Sequence, residues 1–252
     1  TLLLILDNSK AEIMQYANQD ELTQLKSRRY GLTQMQQALL AMGDKQDFSV
    51  ILLDLDWFKN INDNYGHDVG DQVLSEVAQT LLKSLSEEVI VSRYGGEEFL
   101  IVLPDTTHEG AMTIAKQLRK DIAQQVIKSD DNVDFYITAS LGVYTLTHEE
   151  RARIQNEYKA LALEENTQAL AEPRKNRKQL DRRQGERRQE RGSHSSNQAG
   201  AQQTHAQKRI SHRRKRAAKE IVQAQLPSDI CQRLICIADK ALYEAKDRGR
   251  NQ

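Results

Sequence analysis

Aromatic side chains make up only 5% of the 252 residues, and between Lys159 and Leu242 there are none. The middle of that stretch is Arg, Gln, Ser, Gly and His, too polar to bury the apolar area that would offset its ordering entropy. Cysteine is scarce as well: Cys231 and Cys236 are the only two, and their spacing fits neither a CxxC pair nor a zinc pattern. Both share a predicted helix with Ile230, Leu234, Ile235 and Ile237, which predicts buried, reduced thiols and a reducing, cytoplasmic compartment. Long hydrophobic runs are missing: Leu2 to Leu6 is far too short to span a bilayer or to form the core of a signal peptide. The chain begins with Thr1 rather than Met, so it is expected to be a fragment whose upstream part holds a sensory domain and could anchor the full protein to a membrane.

Net charge is also absent, with 36 basic and 36 acidic residues. The balance conceals a segregation. From Pro173 to Lys219 there are sixteen Lys or Arg against three Asp or Glu, which leaves twenty against thirty-three elsewhere. The chain reads as an acidic domain carrying a basic insert.

What is present is a periodic core. Leu22, Leu25, Leu32, Met35, Leu39 and Met42 predict a helix over 20–42 that stops at Gly43, and Phe48 to Leu53 predicts a strand. A short helix follows at 58–66. Val69, Val73, Val77, Leu81 and Leu85 form the apolar stripe of another. A hairpin is expected over 88–103, a helix over 108–126 and a strand over 133–146. The flanks 149–171 and 206–225 read as helical arms, and Ile230, Leu234, Ile237, Ala241 and Ala245 predict a last helix over 228–247. Strands and helices in this order argue for an α+β fold, an antiparallel-containing sheet flanked by helices.

The chemistry concentrates at two strand ends. Arg93-Tyr94-Gly95-Gly96-Glu97-Glu98-Phe99 places two glycines between apolar runs, a turn that asks for positive φ or close backbone approach and sets two carboxylates at a hairpin tip. Asp54-Leu55-Asp56 ends the other strand. Hard oxygen donors at two strand ends suit Mg²⁺ or Mn²⁺ and a phosphate substrate. A solvated strand end is the ordinary reading of Asp54 and Asp56, and the facing acidic turn argues against it.

Four motifs together resemble the GGDEF family, the diguanylate cyclases. They are Gly95-Gly96-Glu97-Glu98-Phe99, the run Asp54 to Asp63 (DxDxFKxxND), Tyr65 to Asp71 (YGHxxGD), and Ala238 to Asn251 (ADxALYxAKxxGRN). Leu22 to Arg29 is a looser match to a fifth. The resemblance implies the palm-like fold of nucleotide cyclases and polymerases, related to the ferredoxin-like sheet. It implies condensation of two GTP into cyclic di-GMP, through metal-assisted attack of a ribose 3′-hydroxyl on an α-phosphate with loss of two pyrophosphates, and a homodimer in which two domains each bring one GTP. The alternative is a silent signalling module that binds GTP or cyclic di-GMP without turnover.

Carried onto this sequence, the resemblance makes Asp54, Glu97 and Glu98 catalytic, with metal ligands Asp54, Glu97 and the Leu55 carbonyl. Gly95 and Gly96 would let ribose or phosphate approach the backbone. Asn62 and Asp71 would read guanine, whose adjacent N1 and N2 donors match a carboxylate; a plain helix cap is the other reading of Asn62. Lys59, the backbone amides of Trp57 and Phe58, and Lys246 with Arg250 would hold phosphates, although a basic helix end also favours the macrodipole. His67, at a helix start, is read as capping or packing rather than as a base.

Two departures matter. The family's product-inhibition motif RxxD corresponds here to Ser86-Glu87-Glu88-Val89, which has neither Arg nor Asp. Gln24 and Lys26 stand where the family has Gly and Pro. The expected organisation is therefore an upstream linker at 1–19, a GGDEF domain at 20–147, a basic insert at 148–226 and the domain's closing helix and tail at 227–252. The insert is read as a solvated tether; contact with nucleic acid or anionic membrane is its other reading.

Overall fold

The computed structural model describes residues 18–128, 134–157, 160 and 227–251. In chain order the elements are β1 (Lys26–Ser27), α1 (Arg28–Ala41), β2 (Phe48–Leu55), α2 (Phe58–Tyr65), α3 (His67–Ser84), β3 (Ile90–Arg93), β4 (Glu98–Pro104), α4 (His108–Gln124), β5 (Ile127–Lys128), β6 (Asp134–Phe135), β7 (Ala139–Leu146), α5 (148–157) and α6 (227–247). The five-stranded sheet runs β1-β3-β4-β2-β7, antiparallel except for β1 beside β3. β5 and β6 form a separate two-stranded ribbon.

All eight residues of β2 are buried, as expected of a central strand covered on both faces. Successive side chains alternate between those faces. Ile51, Leu53 and Leu55 join Phe99, Ile101 and Leu103 in one cluster with Val73, Val77 and Leu81 of α3 and Ala115, Leu118 and Ile122 of α4. The opposite face meets α1 and α6. There Gly31 of α1 lies so close to Ser92 that an added Cβ would stand 2.4 Å from its hydroxyl. At Gly142 of β7 the same Cβ would stand 2.0 Å from the Ala238 carbonyl of α6. The sheet and α6 belong to one compact unit, Thr1–Ala152 with Pro227–Gln252; Arg153–Leu226 forms the other.

Several sequence expectations are corrected. The helix expected from residue 20 begins at Arg28, because Ser27 caps it by accepting from the Tyr30 N–H. Residues 20–25 form a turn, in which Gln24 takes a left-handed φ of 59° at the position where the family has Gly. Gly43 does not end that helix in a left-handed turn; Met42 caps it in extended conformation. The strand expected over 133–146 divides into β6 and β7. Cys231 is buried, with its thiol pushed up to about 12 by burial, but Cys236 is exposed. Of the predicted helical arms, 148–157 is helical, started by Thr147, whose hydroxyl accepts from the Glu150 N–H; 161–171 and 206–225 lie outside the described residues, as does the expected linker through residue 17.

Candidate functional site

The two acidic strand ends lie side by side because Asp54 of β2 is the register partner of Glu98 of β4. The Leu55 N–H donates to the Glu97 carbonyl at 3.3 Å, which ties the hairpin turn to the end of the central strand. Neither Asp54, 6% exposed, nor Asp56, 3% exposed, is a solvated strand end. Asp56 accepts from Thr138 Oγ1 and Ser140 Oγ, each at 2.7 Å, and from the Asn251 N–H at 3.0 Å. Its carboxylate is an anchor that joins β2, β7 and the C-terminal turn. Asp54 differs. Its buried Oδ1 lies 2.6 Å from Lys246 Nζ in an ion pair, and no other donor reaches this oxygen among the described residues.

The hairpin glycines take no positive φ; among the described glycines only Gly66 and Gly249 do. Close approach is the feature of Gly95 instead: a Cβ there would stand 2.3 Å from Glu98 Oε2 and turn that carboxylate aside, whereas a Cβ on Gly96 would meet nothing within 4 Å. Arg93 donates to the Gly96 carbonyl through Nε and Nη2, at 3.2 and 2.9 Å, and pairs with Asp20 at 3.1 Å. Asp20 also receives the Thr23 N–H and hydroxyl. The residues ahead of β1 thus clamp the acidic turn, a role that the sequence reading missed.

The three candidate acids are all raised above their ordinary values. Burial raises Asp54 against the hydrogen bond and charge of Lys246, with repulsion from Asp56 adding to the rise and Arg250 opposing it. Burial raises Glu97, as do Asp54 and Glu98, with Lys246 opposing. Burial raises Glu98, followed by Asp54 and Asp239. Lys246 opposes the shift of all three acids, helped by Arg250 at Asp54 and by Arg28 at Glu98.

A cavity of about 540 Å³ opens here, lined among others by Asp54, Glu98, Asp239, Lys240, Tyr243 and Lys246. Arg250 follows α6 in a turn of three consecutive left-handed residues, Gly249 (φ 114°), Arg250 (62°) and Asn251 (51°). Its guanidinium rests over the Trp57 ring.

Among the described residues, no three His, Cys, Asp or Glu side chains form a ready metal cluster. The donor set nevertheless fits a hard divalent cation: Asp54 Oδ1 is a buried oxygen met by the Lys246 ammonium, and the neighbouring carboxyls are raised by burial and by one another's charge. Lys246 would have to yield Asp54 Oδ1 to it.

The residues expected to read the base lie apart from this cleft, on α2 and α3. Asn62 is not a cap: it sits inside α2, and its backbone carbonyl receives the Gly66 N–H. Its side-chain oxygen presses on Gly70, where a Cβ would stand 1.9 Å away. Asp71, next to Gly70, is exposed on α3. Phe58 places its side chain in the core at the start of α2, whose preceding residue gives no side-chain cap to the first N–H groups. Lys59 is exposed beside it, and His67 is an exposed first residue of α3.

A family profile described as "Diguanylate cyclase, GGDEF domain" matches residues 17–179. Diguanylate cyclase A of Treponema denticola is 34% identical over 139 residues, which cover 54% of this chain and 37% of that protein. Response regulator PleD of Caulobacter vibrioides is 38% identical over 119 residues, covering 47% and 26% respectively. The chain thus spans well under half the length of these curated relatives. Among solved structures, the coiled coil and GGDEF domain of DgcB from Caulobacter crescentus, in complex with c-di-GMP, matches at 25% identity and a TM-score of 0.56, covering 66% of this chain and 89% of that one. SiaD of Pseudomonas aeruginosa, a diguanylate cyclase crystallised with its activator SiaC, matches at 29% identity and a TM-score of 0.51, covering 57% and 56%.

Proposed function

We propose that this chain, which belongs to the GGDEF family of diguanylate cyclases, condenses two GTP into cyclic di-GMP and releases two pyrophosphates. The observation that supports the reading is the Asp54–Glu98 register, which brings these two carboxyls to one cleft with Lys246, Glu97 being the next residue in the turn. A Mg²⁺ or Mn²⁺ ion held by Asp54, Glu97 and the Leu55 carbonyl would neutralise phosphate charge and acidify the ribose 3′-hydroxyl.

The chain's own residues do the rest. Lys246 and Arg250 bind the triphosphate, and charge on the leaving pyrophosphate is met by the same cations. Lys59 and the uncapped N–H groups at the start of α2 give phosphate a second contact. Gly95 and Gly96 leave the backbone of the turn open to the ribose. Glu98, raised by burial above its ordinary value, accepts the hydroxyl proton in this reading as the 3′-oxygen bonds to the α-phosphate and the bond to pyrophosphate breaks. Asp71 and Asn62 select guanine, because adenine cannot donate two adjacent hydrogen bonds to a carboxylate. One domain holds one GTP, so the product forms between two copies facing each other.

Incubation with GTP and Mg²⁺, followed by chromatography of the nucleotides, tests this. Cyclic di-GMP should appear, and Asp71→Ala should weaken GTP binding. Bound nucleotide without product would make the chain a silent binding module; parent-like GTP affinity in Asp71→Ala would assign the base to another residue.

A further inference from the structure

We propose that Trp57 is a positioning residue whose indole face holds the Arg250 guanidinium in the orientation that receives the GTP triphosphate. The proposal rests on the role given to Arg250 above. Arg250 Cζ lies 4.0 Å from the indole centroid, well within cation–π range. Asp54 feels the arginine's charge at a distance, but the ring is the surface on which the cation rests.

Several backbone features bring the pair together. Trp57 stands just before α2 with φ at 61°, a left-handed conformation that is rare for a bulky residue. The ring is 59% exposed instead of joining the core as its neighbour Phe58 does. Arg250 is presented by the left-handed turn over residues 249–251. The two turns are joined, because the Asn251 N–H donates to Asp56, the residue before Trp57. Arg119 holds the Asn251 carbonyl from α4.

A guanidinium stacked on a ring has one face covered, while its N–H donors point outward in its own plane. Stacking therefore leaves the edge free for phosphate oxygens. What it removes is the rotamer freedom that an unsupported arginine would lose on binding. The ring should thus act on substrate affinity more than on the chemical step.

Trp57 is the only tryptophan in the chain, so its emission reports the stack directly. In the full chain, Arg250→Gln should make the emission more accessible to acrylamide quenching. Trp57→Leu should keep the parent's Tm within a few degrees and raise KM for GTP about fivefold, with kcat changed less than about twofold. Trp57→Tyr, which keeps an aromatic face, should recover most of the affinity. Unchanged quenching in Arg250→Gln, or an unchanged KM in Trp57→Leu, would overturn the proposal, as would Trp57→Tyr behaving like Trp57→Leu. A parent that neither binds nor converts GTP would overturn the functional reading instead, and is told apart because the quenching difference would persist.

Discussion

Three carboxyls that repel one another in a partly buried cleft make a pH-dependent site. Asp54, Glu97 and Glu98 are all raised above their ordinary values in the fold. The stability they contribute is complete below the ordinary carboxylate values and is lost as pH rises through their raised ones. A bound divalent cation favours the ionised forms and reverses that trend. Mg²⁺ should therefore raise Tm at about pH 7.5, and the rise should shrink as pH falls toward the carboxylate range near 4 to 5. Glu97→Gln should lose most of this Mg²⁺ response and all turnover while remaining folded; full turnover would remove Glu97 from the metal set. Gly70→Ala tests the base site at the same scale. Its Cβ would stand 1.9 Å from Asn62 Oδ1, so Asn62 must rotate. KM for GTP should rise while Tm moves little, and an unchanged KM would separate Asn62 from substrate. Asp54, Glu97 and Glu98 were legible in the sequence because acidic residues ended two apolar runs. The structural role of Asp56 was not legible, because nothing local reveals that Thr138, Ser140 and Asn251 converge on it from distant parts of the chain.

Helix α6 delivers Lys246 and Arg250, and its seat on β7 is set by Gly142. A side chain there would run into the Ala238 carbonyl and the Leu242 backbone nitrogen, at 2.0 and 2.5 Å. Gly142→Val should cost about 1 to 3 kcal/mol of stability through overpacking, and should depress turnover further by lifting Lys246 off the cleft. Denaturant unfolding alongside a product assay checks both, and parent-like values in each would show that α6 can shift freely. A glycine inside a predicted strand was the available signal for this contact, since such glycines mark close backbone approach. Period alone located β2, α3, α4 and α6 to within a few residues. It overran at 20–27, where Leu22 and Leu25 keep helical spacing inside a turn held by Asp20. Ser27 was a capping signal overlooked among them.

At the scale of the whole molecule, the proposed reaction would draw on two copies of the chain and on no residue of the basic insert. Initial rate should rise more steeply than protein concentration at low concentration; strict proportionality where sedimentation finds only monomer would contradict a shared active site. Replacing Pro173–Lys219 with a short Gly-Ser linker should leave turnover nearly unchanged and weaken salt-sensitive binding to polyanions, because none of the assigned residues lies there. Micromolar cyclic di-GMP should inhibit parent and variant alike only slightly, given Ser86 and Val89 in place of an Arg-Asp pair. A large loss of activity in the variant would make the insert regulatory.

The order in which the chain is made gives the same topology a temporal side. Strand β7 ends at Leu146 and α6 starts at residue 227. A ribosome adding roughly 5 to 20 residues per second needs about 4 to 16 seconds to synthesise the stretch between them. During that interval the sheet can assemble with α3 and α4 on one face, while the area destined for α6 stays bare and Asp54 waits without Lys246. Until then the nascent chain would lack Lys246 and Arg250 and would leave the α6-facing side of the sheet exposed. A message cut short before residue 227 would leave that condition permanent.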